Sequence, residues 1–446
     1  MSESANRINN DYKLIGEMTM ESLKGKRLLI LGGTTLLTHV VYTAKQLGVY
    51  TIVTDKDPLS PAKACADKAY NISTGDMQAL IELAKKENID GVFTGYEDFN
   101  TTVACQLCEK LKLPFYATQA QIDITKSKIL FKEVCKKYGV PIVKEYIDEE
   151  TIEYPCVTKP ADSYSGKGIL ICNNKEEYEK GKEYAISFSP TKSFLVEKFM
   201  DSKKVECINI DYLIRDGKIK LSAVGDKYVN DEQGNKTPLT AGVVYPSIRM
   251  KEYIETLNDK VINMFQSLGL ENGTLFIESF YDEEGFHFYE MGYRVGGGQS
   301  SILLNEMIGV DYLKMLISFA ITGSMCDQIT WDKVTPFFTQ VACSIVLLIK
   351  PGLVNKIEGV DEITKIRDVV KFTQYYQIGE EMPERLLGTL GQTFARIHIV
   401  SQDLKALSET VEKVKTVIKV FDVKGNPMLL STVCHKMDNY LMQEFV

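Results

Sequence analysis

No run in this 446-residue chain approaches the ~18 consecutive apolar residues of a membrane-spanning helix, so no transmembrane helix is expected. Positive charge is not in excess either. There are 60 Asp and Glu against 52 Lys and Arg, a net charge of −8. That balance excludes nucleic-acid binding through the overall field and leaves only a local basic cleft for anionic ligands. The first residues, MSESANRINNDYKLIGEM, lack the basic start and apolar stretch of a signal peptide, and a cytoplasmic location is expected. Histidine is scarce: His39, His287, His398 and His435 form no HExxH and no close cluster, which argues against zinc. No GxSxG elbow is present, so an α/β-hydrolase is disfavoured. No GxxxxGK[ST] is present, so a Walker A loop is ruled out. LGGTTLLT followed by Asp55 is not a GxGxxG fingerprint and reads as a strand-end turn. Ten cysteines are scattered, some inside apolar runs such as VACSIVLLI, as buried free thiols of a reducing compartment are. Cys105 and Cys108 form a lone CxxC on a helical stretch and read as core thiols.

What is present is an ordinary globular composition, 44% hydrophobic and 25% charged, long enough for about three domains at roughly 150 residues each. RLLILGG (27–33), YTIVTD (50–55) and GVFTG (91–95) read as buried strands. Helices over 38–48 and 100–113, and a third in MQALIELAKKENI, alternate with them. That alternation predicts a doubly wound α/β domain, with ligands at the carboxyl ends of its strands, in the loops from Gly32, Asp55 and Gly95. In the last loop either Glu97 and Asp98 form a wall of the acceptor pocket, or Asp98 or Asn100 simply caps the helix. From about residue 126 the texture changes to a charged amphipathic helix, KSKILFKEVCKKYG, and then short β-rich segments. GTLFIESFYDEEGFHFYEMGYR (273–294) reads as a hairpin turning at DEEG, followed by a helix over 312–323. The tail has strands near 341–349 and 394–400 and a helix in LKALSETVEKVKTVI.

Four segments carry chemistry. Lys128 opens the amphipathic helix. VTKPADSYSGKG (157–168) places Lys159 at a strand end. In the loop after it Ser163, Ser165, Gly166 and Gly168 let backbone N–H groups approach a polyphosphate, and Lys167 adds charge. LVEKFM (195–200) can offer backbone groups to an adenine edge between apolar walls. Glu278 and Glu290 lie twelve residues apart across the hairpin turn, which can bring both carboxylates to one face. Hard oxygen ligands beside a phosphate cradle suit Mg2+, and Arg294 follows four residues on. Each segment alone has a bland reading, as a surface lysine, a plain turn or solvated strand acids; it is their conjunction in order that points to a site.

That ordered set resembles the ATP-grasp superfamily behind its usual N-terminal α/β domain: SK-ILFK…YGVP, VTKPADSYSGKG, LVEKFM, AVGDKY, GTLFIES and FYEMGYRVGGG, over roughly residues 27–440. The resemblance implies an arm (1–25), a pre-ATP-grasp doubly wound domain (26–125), an ATP-grasp domain (126–335) with a mobile lid at about 126–200, and a C-terminal α/β subdomain (336–446). It implies an ATP-dependent carboxylate–amine ligase that uses ATP and Mg2+, with Mn2+ able to substitute, on small-molecule carboxylate and amine substrates. Neither nucleic acid nor membrane is an expected partner, and a homodimer is compatible. By position, Lys128 and Lys159 would contact the phosphates and Ser163 to Gly168 would close over them. Glu197, Lys198 and Met200 would form the adenine hinge. Lys227 would reach the terminal phosphates, Glu278 and Glu290 would hold Mg2+, and Arg294 would face the reacting carboxylate. The chain departs from the family pattern at Ser127, where Asp is usual, at Gly292, where Asn is frequent, and at Lys204, where an acid usually meets the ribose and Glu206 is the substitute. IKPGLVNKIEGVDEI and GQTFARIHIVSQ resemble the tails of amino-acid ligases and biotin-carboxylase-like enzymes. The alternatives are activation of hydrogencarbonate, as in carboxylases or carbamoyl-phosphate synthesis, and a non-catalytic ATP-binding regulator.

Overall fold

Strand β1 (Arg27–Leu31) sends Leu28 and Ile30 to one face and Leu29 and Leu31 to the other, and all four are fully buried in two separate cores. A strand buried on both faces needs helices on both sides. Helix Thr35–Gln46 packs on one side, and helices Met77–Glu87 and Asp98–Leu111 on the other. β1 pairs in parallel with β2 (Tyr50–Thr54) and with β4 (Gly91–Phe93), and β2 with β3 (Lys68–Tyr70), giving the order β3-β2-β1-β4. This is the doubly wound domain expected. The edge strand β3 is an addition: its three residues, two of them exposed, carry no apolar pattern, and only its pairing with β2 makes it a strand. Strand order reverses between β1 and β4, so the loops after them open on the ligand-binding crevice of such sheets. The computed structural model describes residues 23–162, 166–230, 238–325, 328–430 and 437, so Ser163, Ser165 and most of the expected N-terminal arm lie outside the described residues.

A small antiparallel sheet follows, with β5 (Cys156–Pro160) between β6 (Leu170–Cys172) and β7 (Phe194–Lys198). Tyr178 of helix Lys175–Phe188 packs with Cys156, Cys172 and Val196 to form its core.

The third layer is one eight-stranded antiparallel sheet. It contains β8 (Glu206–Arg215), β9 (Lys218–Asn230), β10 (Leu239–Tyr245), β11 (Gly273–Asp282), β12 (Gly285–Gly292), β13 (Val341–Leu348) and the strands Val369–Gln374 and Thr393–Ser401. Its order is β12-β11-β8-β9-β10-β13, then Thr393–Ser401, then Val369–Gln374. β10 pairs directly with β13, so strands on either side of residue 335 share this sheet. The hairpin turns at Asp282–Gly285, where Gly285 takes a φ of 104° that suits glycine. Two strands that periodicity does not announce, β10 and the edge strand Val369–Gln374, exist through pairing with their neighbours. One face of the sheet is covered by helix Asp259–Ser267, over Ile208, Ile210 and Ile277, and by helix Leu404–Val417, over Cys343, Ile345 and Ile397. The other face looks toward the N-terminal domain: Val243, Tyr245 and Ala342 share a core with Phe93 and Leu316. No helix among the described residues is long and apolar enough to cross a membrane.

Candidate active site

Glu278 and Glu290 are direct cross-strand partners in the hairpin, so their side chains share one face. The register slips by one residue immediately after them, and Tyr289 is the extra residue of this bulge. Its hydroxyl donates to Glu278 Oε2 at 2.5 Å. Lys227 Nζ donates to Glu278 Oε1 at 2.8 Å. Burial would raise the Glu278 carboxyl pKa, but Lys227, Tyr289 and Arg294 outweigh it and hold the group below its usual range, hence ionised. The Glu290 carboxylate has no ion pair or hydrogen bond to a described residue, which leaves one free acidic ligand beside one ionised one. Two opposed carboxylates of which one is uncommitted fit a hard divalent cation. Lys227 occupies an oxygen of Glu278 that such a cation would share.

Gly292 explains its own departure from the expected Asn. A Cβ there would lie 2.4 Å from Cε1 of Phe276, its strand partner. Phe276 in turn carries the Arg294 guanidinium 5.0 Å from its ring centroid, a cation–π contact. Glycine at 292 therefore makes room for the ring that supports Arg294.

Arg294 reaches out of the hairpin to the N-terminal domain. Its Nε and Nη2 contact Asp98 Oδ1 and Oδ2 at 2.6 and 3.0 Å. Asp98 is therefore no helix cap. The cap position is Glu97, with no side-chain cap bond, and Asn100 donates to the Glu97 carboxylate instead. Burial, then Asp55, raise the Glu97 pKa, while Arg294 and Lys167 pull it down. Lys167 of the glycine loop and Arg294 of the hairpin thus both bear on the charge of Glu97.

Lys159 at the end of β5 is buried, and its Nζ lies 2.6 Å from Glu197 Oε1 on the adjacent β7. Lys132 grips the same oxygen and lies 3.6 Å from Glu145. Burial opposes the charge on Glu197, but Lys159 and Lys132 hold its pKa below the ordinary value. Sequence reading overlooked Lys132, although a lysine on the buried face of helix Lys128–Lys137 was the available signal. Lys128 is buried at the start of that helix, and its N–H donates to the Ala161 carbonyl, tying it to the loop after β5. Ser127 does the capping that Asp would do, its hydroxyl accepting from Leu130 N–H. In the loop, Gly166 and Gly168 both take positive φ, and a Cβ on Gly168 would meet Pro160 at 2.5 Å.

Lys198 ends β7, its N–H donating to Lys144 O at 2.9 Å. Met200 is buried with Val143 and Val205, against the stacked rings of Phe280 and Tyr289. This apolar wall ends at the Tyr289 hydroxyl on Glu278, so the expected hinge and the carboxylates adjoin. Glu206 is not brought to them. It alternates with Cys207 and Asn209 and falls on the sheet's other face, where Arg249 binds it through two nitrogens at 2.8 and 2.7 Å.

Asp211 is a further candidate, one that sequence reading missed. It lies on the Glu278 face, where Asn209 donates to it at 3.1 Å, and burial pushes its pKa up to about 7. A polar residue inside the apolar run INIDYLI was the only sequence signal. The CxxC is as expected: Cys105 and Cys108 are buried, and burial pushes their thiols up to about 11 and about 12.

Comparison with known proteins follows the same division. Residues 28–113 match the PylC-like N-terminal domain, and residues 128–326 match the carbamoyl-phosphate synthase L chain, ATP binding domain. A formate-dependent phosphoribosylglycinamide formyltransferase of Sulfurisphaera tokodaii is 31% identical over 187 residues, covering 39% of this chain and 47% of that one. The 2-oxoglutarate carboxylase small subunit of Hydrogenobacter thermophilus is 26% identical over 339 residues, 66% of each chain. The chain spans about half the length of most of the curated relatives it matches. In fold it is similar to an L-amino acid ligase from Bacillus licheniformis, with a TM-score of 0.72 at 17% identity over 90% of this chain and 99% of that one. Two domains match in the expected order, with the nucleotide-site segments all within the second, so over residues 128–326 the chain is similar to the ATP binding domain of the carbamoyl-phosphate synthase L chain, in line with the ATP-grasp resemblance.

Proposed function

We propose that the chain is an ATP-dependent ligase that phosphorylates a small-molecule carboxylate, releases ADP, and joins the acyl phosphate to an amine with loss of phosphate. The observation that carries this reading is the Glu278–Glu290 pair facing Lys227 at the foot of the hairpin, with Arg294 four residues on. Glu278 and Glu290 would hold Mg2+, and Mn2+ suits the same oxygen set. When bound, the cation supplies charge neutralisation for the transferring phosphoryl group. Lys128, Lys159 and Lys227 neutralise phosphate charge, and Lys227 does so by leaving Glu278. The loop at 163–168 covers the phosphates and keeps water from the acyl phosphate. Met200 and the backbone of Glu197 and Lys198 wall the base. Arg294, held in plane by Asp98 and Phe276, faces the carboxylate. Asp211, with a pKa near neutrality, takes the proton that an ammonium acceptor must lose before it attacks.

A second reading, activation of hydrogencarbonate, is favoured by the likeness to the 2-oxoglutarate carboxylase small subunit over two thirds of the chain. ADP release from ATP separates the readings. The ligase forms ADP only when a carboxylate and an amine are both supplied, tested with pooled amino acids. Dependence on hydrogencarbonate alone selects the second reading. Tight ATP binding with no ADP under any pool marks a nucleotide-binding regulator and removes both.

A further inference from the structure

Buried polar side-chain atoms are nearly always hydrogen-bonded. Among the described residues eight are not, and all eight occur on elements that meet at one place. Gln299, Ser301, Ser344, Thr373, Arg396 and His398 each keep an unpartnered buried nitrogen or oxygen, and so does the hydroxyl of Tyr96. Register brings them together. Ser344, His398 and Lys371 are successive partners across β13 and the last two strands, and Arg396 is the partner of Thr373 two residues along the same face. Gln299 and Ser301 begin the helix Ser300–Ile308 that packs over these strands. Tyr96, in the loop after β4, donates its N–H to the Val295 carbonyl at 3.1 Å, four residues before Gln299.

This cluster of unpartnered atoms, hereafter the pocket, lies on the same face of the large sheet as Lys227. Lys227 pairs with Val243, Val243 with Ser344, and Ser344 with His398. Three strand spacings of about 4.8 Å put His398 roughly 14 Å from Lys227, a gap that a metabolite of moderate size bridges.

Its chemistry is specific. Arg396 is 7% exposed and has no carboxylate partner among the described residues, and Lys371 beside it has none either. A buried cation without a counter-charge is costly unless a ligand supplies one. His398 is fully buried and neutral, because burial and then Arg396 drive its pKa down to about 3. Its Nε2 lies 3.2 Å from the Gly298 carbonyl oxygen, to which it donates. Nδ1 is therefore an acceptor, and it is unpartnered. The pocket thus offers positive charge at one point and an acceptor at another.

We propose that this pocket is a recognition subsite for the non-reacting end of a co-substrate: a small polar molecule with a carboxylate or phosphate for Arg396 and an N–H or O–H group for His398 Nδ1. Calling the ligand a co-substrate rests on the ligase reading; the chemistry of the pocket does not. Apolar substrates are excluded, since each would leave the unpartnered atoms as they are.

Calorimetry and thermal denaturation at constant ionic strength test this on the wild-type chain and on Arg396→Met. Inorganic phosphate and L-aspartate are the probes, and chloride is the control. One of the two anions binds the wild type and raises its Tm; phosphate alone assigns a phosphorylated ligand and aspartate alone a carboxylate. Arg396→Met binds that anion roughly tenfold or more weakly, because a charge-assisted fork is lost. Without anion, Arg396→Met melts at or above the wild-type temperature, since an unpaired buried charge has been removed. The proposal is overturned if neither anion binds better than chloride or if Arg396→Met binds equally well. It is also overturned if Arg396→Met melts well below the wild type without anion, which marks a structural arginine. ADP release by the same preparations keeps the two proposals separable. Anion binding through Arg396 without ADP formation under any pool leaves the pocket and removes the ligase, and ADP formation with Arg396-independent binding does the reverse.

Discussion

Arg294 and Asp98, 196 residues apart in sequence, form a two-point ion pair that pins the β11–β12 hairpin to the first helix turn after β4. The pair holds both groups in their charged forms against burial: Asp98 below and Arg294 above the ordinary value. Asp98→Asn leaves the guanidinium buried with no counter-charge and one of its two acceptors, so a stability loss of about 3 kcal/mol is expected. Chemical denaturation measures it. Arg294→Lys keeps the charge but loses the fork and the ring contact, and turnover falls while ATP affinity holds.

Glu290→Ala and Lys159→Ala are both expected to abolish ADP release, by about a hundredfold or more, with the fold intact. Neither removal strands a buried charge. Glu290 has no described partner to lose, and Glu197 keeps Lys132 when Lys159 is gone. Circular dichroism and a Tm close to wild type check the fold, and near-normal ATP-dependent activity in either variant removes these residues from the site.

Asp211 gives a pH dependence of known sign. Its pKa is 3.8 unfolded and about 7 folded. With the folded value raised, its contribution to stability is fully present below pH ~4 and is lost as pH rises through about 7. Asn at this position has no charge to bury. Asp211→Asn therefore gains on the wild type between pH 4 and 7, by up to about 4 kcal/mol above that window. Melting at pH 5 and pH 8 reads the difference. On the ligase reading the wild-type rate is expected to fall below neutral pH, and the same variant is expected to lose that dependence.

Gly292→Asn restores the family's usual residue and is expected to harm the protein. The new Cβ meets the Phe276 ring, at a cost of about 1–3 kcal/mol for overpacking. Gly292→Asn with Phe276→Ala relieves the clash, and its Tm exceeds the sum of the two single effects. Strict additivity in that cycle contradicts the steric account.

The elements that the sequence announces are those with their own local signal. β1 reads as a buried strand because four apolar residues fill two cores, and the hairpin reads from DEEG between two alternating runs. The hairpin was legible from its turn, but the turn's register alone would pair Glu278 with Tyr289; the bulge at Tyr289, which no local signal announces, is what brings Glu290 opposite Glu278. What was not legible depends on partners distant in the chain. β3 and Val369–Gln374 are edge strands made by their neighbours. Asp98 looks like a cap until Arg294 arrives from the hairpin. Glu206 looks available until alternation turns it to Arg249. The pocket at Arg396 and His398 is invisible in GQTFARIHIVSQ, because what marks it is the absence of partners after folding.

The most direct test of the central claim is calorimetric titration of ATP, with and without Mg2+, into the wild type and the Glu278→Gln, Glu290→Gln double variant. The account predicts that Mg2+ strengthens ATP binding to the wild type and does not strengthen it in the double variant, while metal-free ATP binds both alike. An equal gain from Mg2+ in both proteins contradicts it.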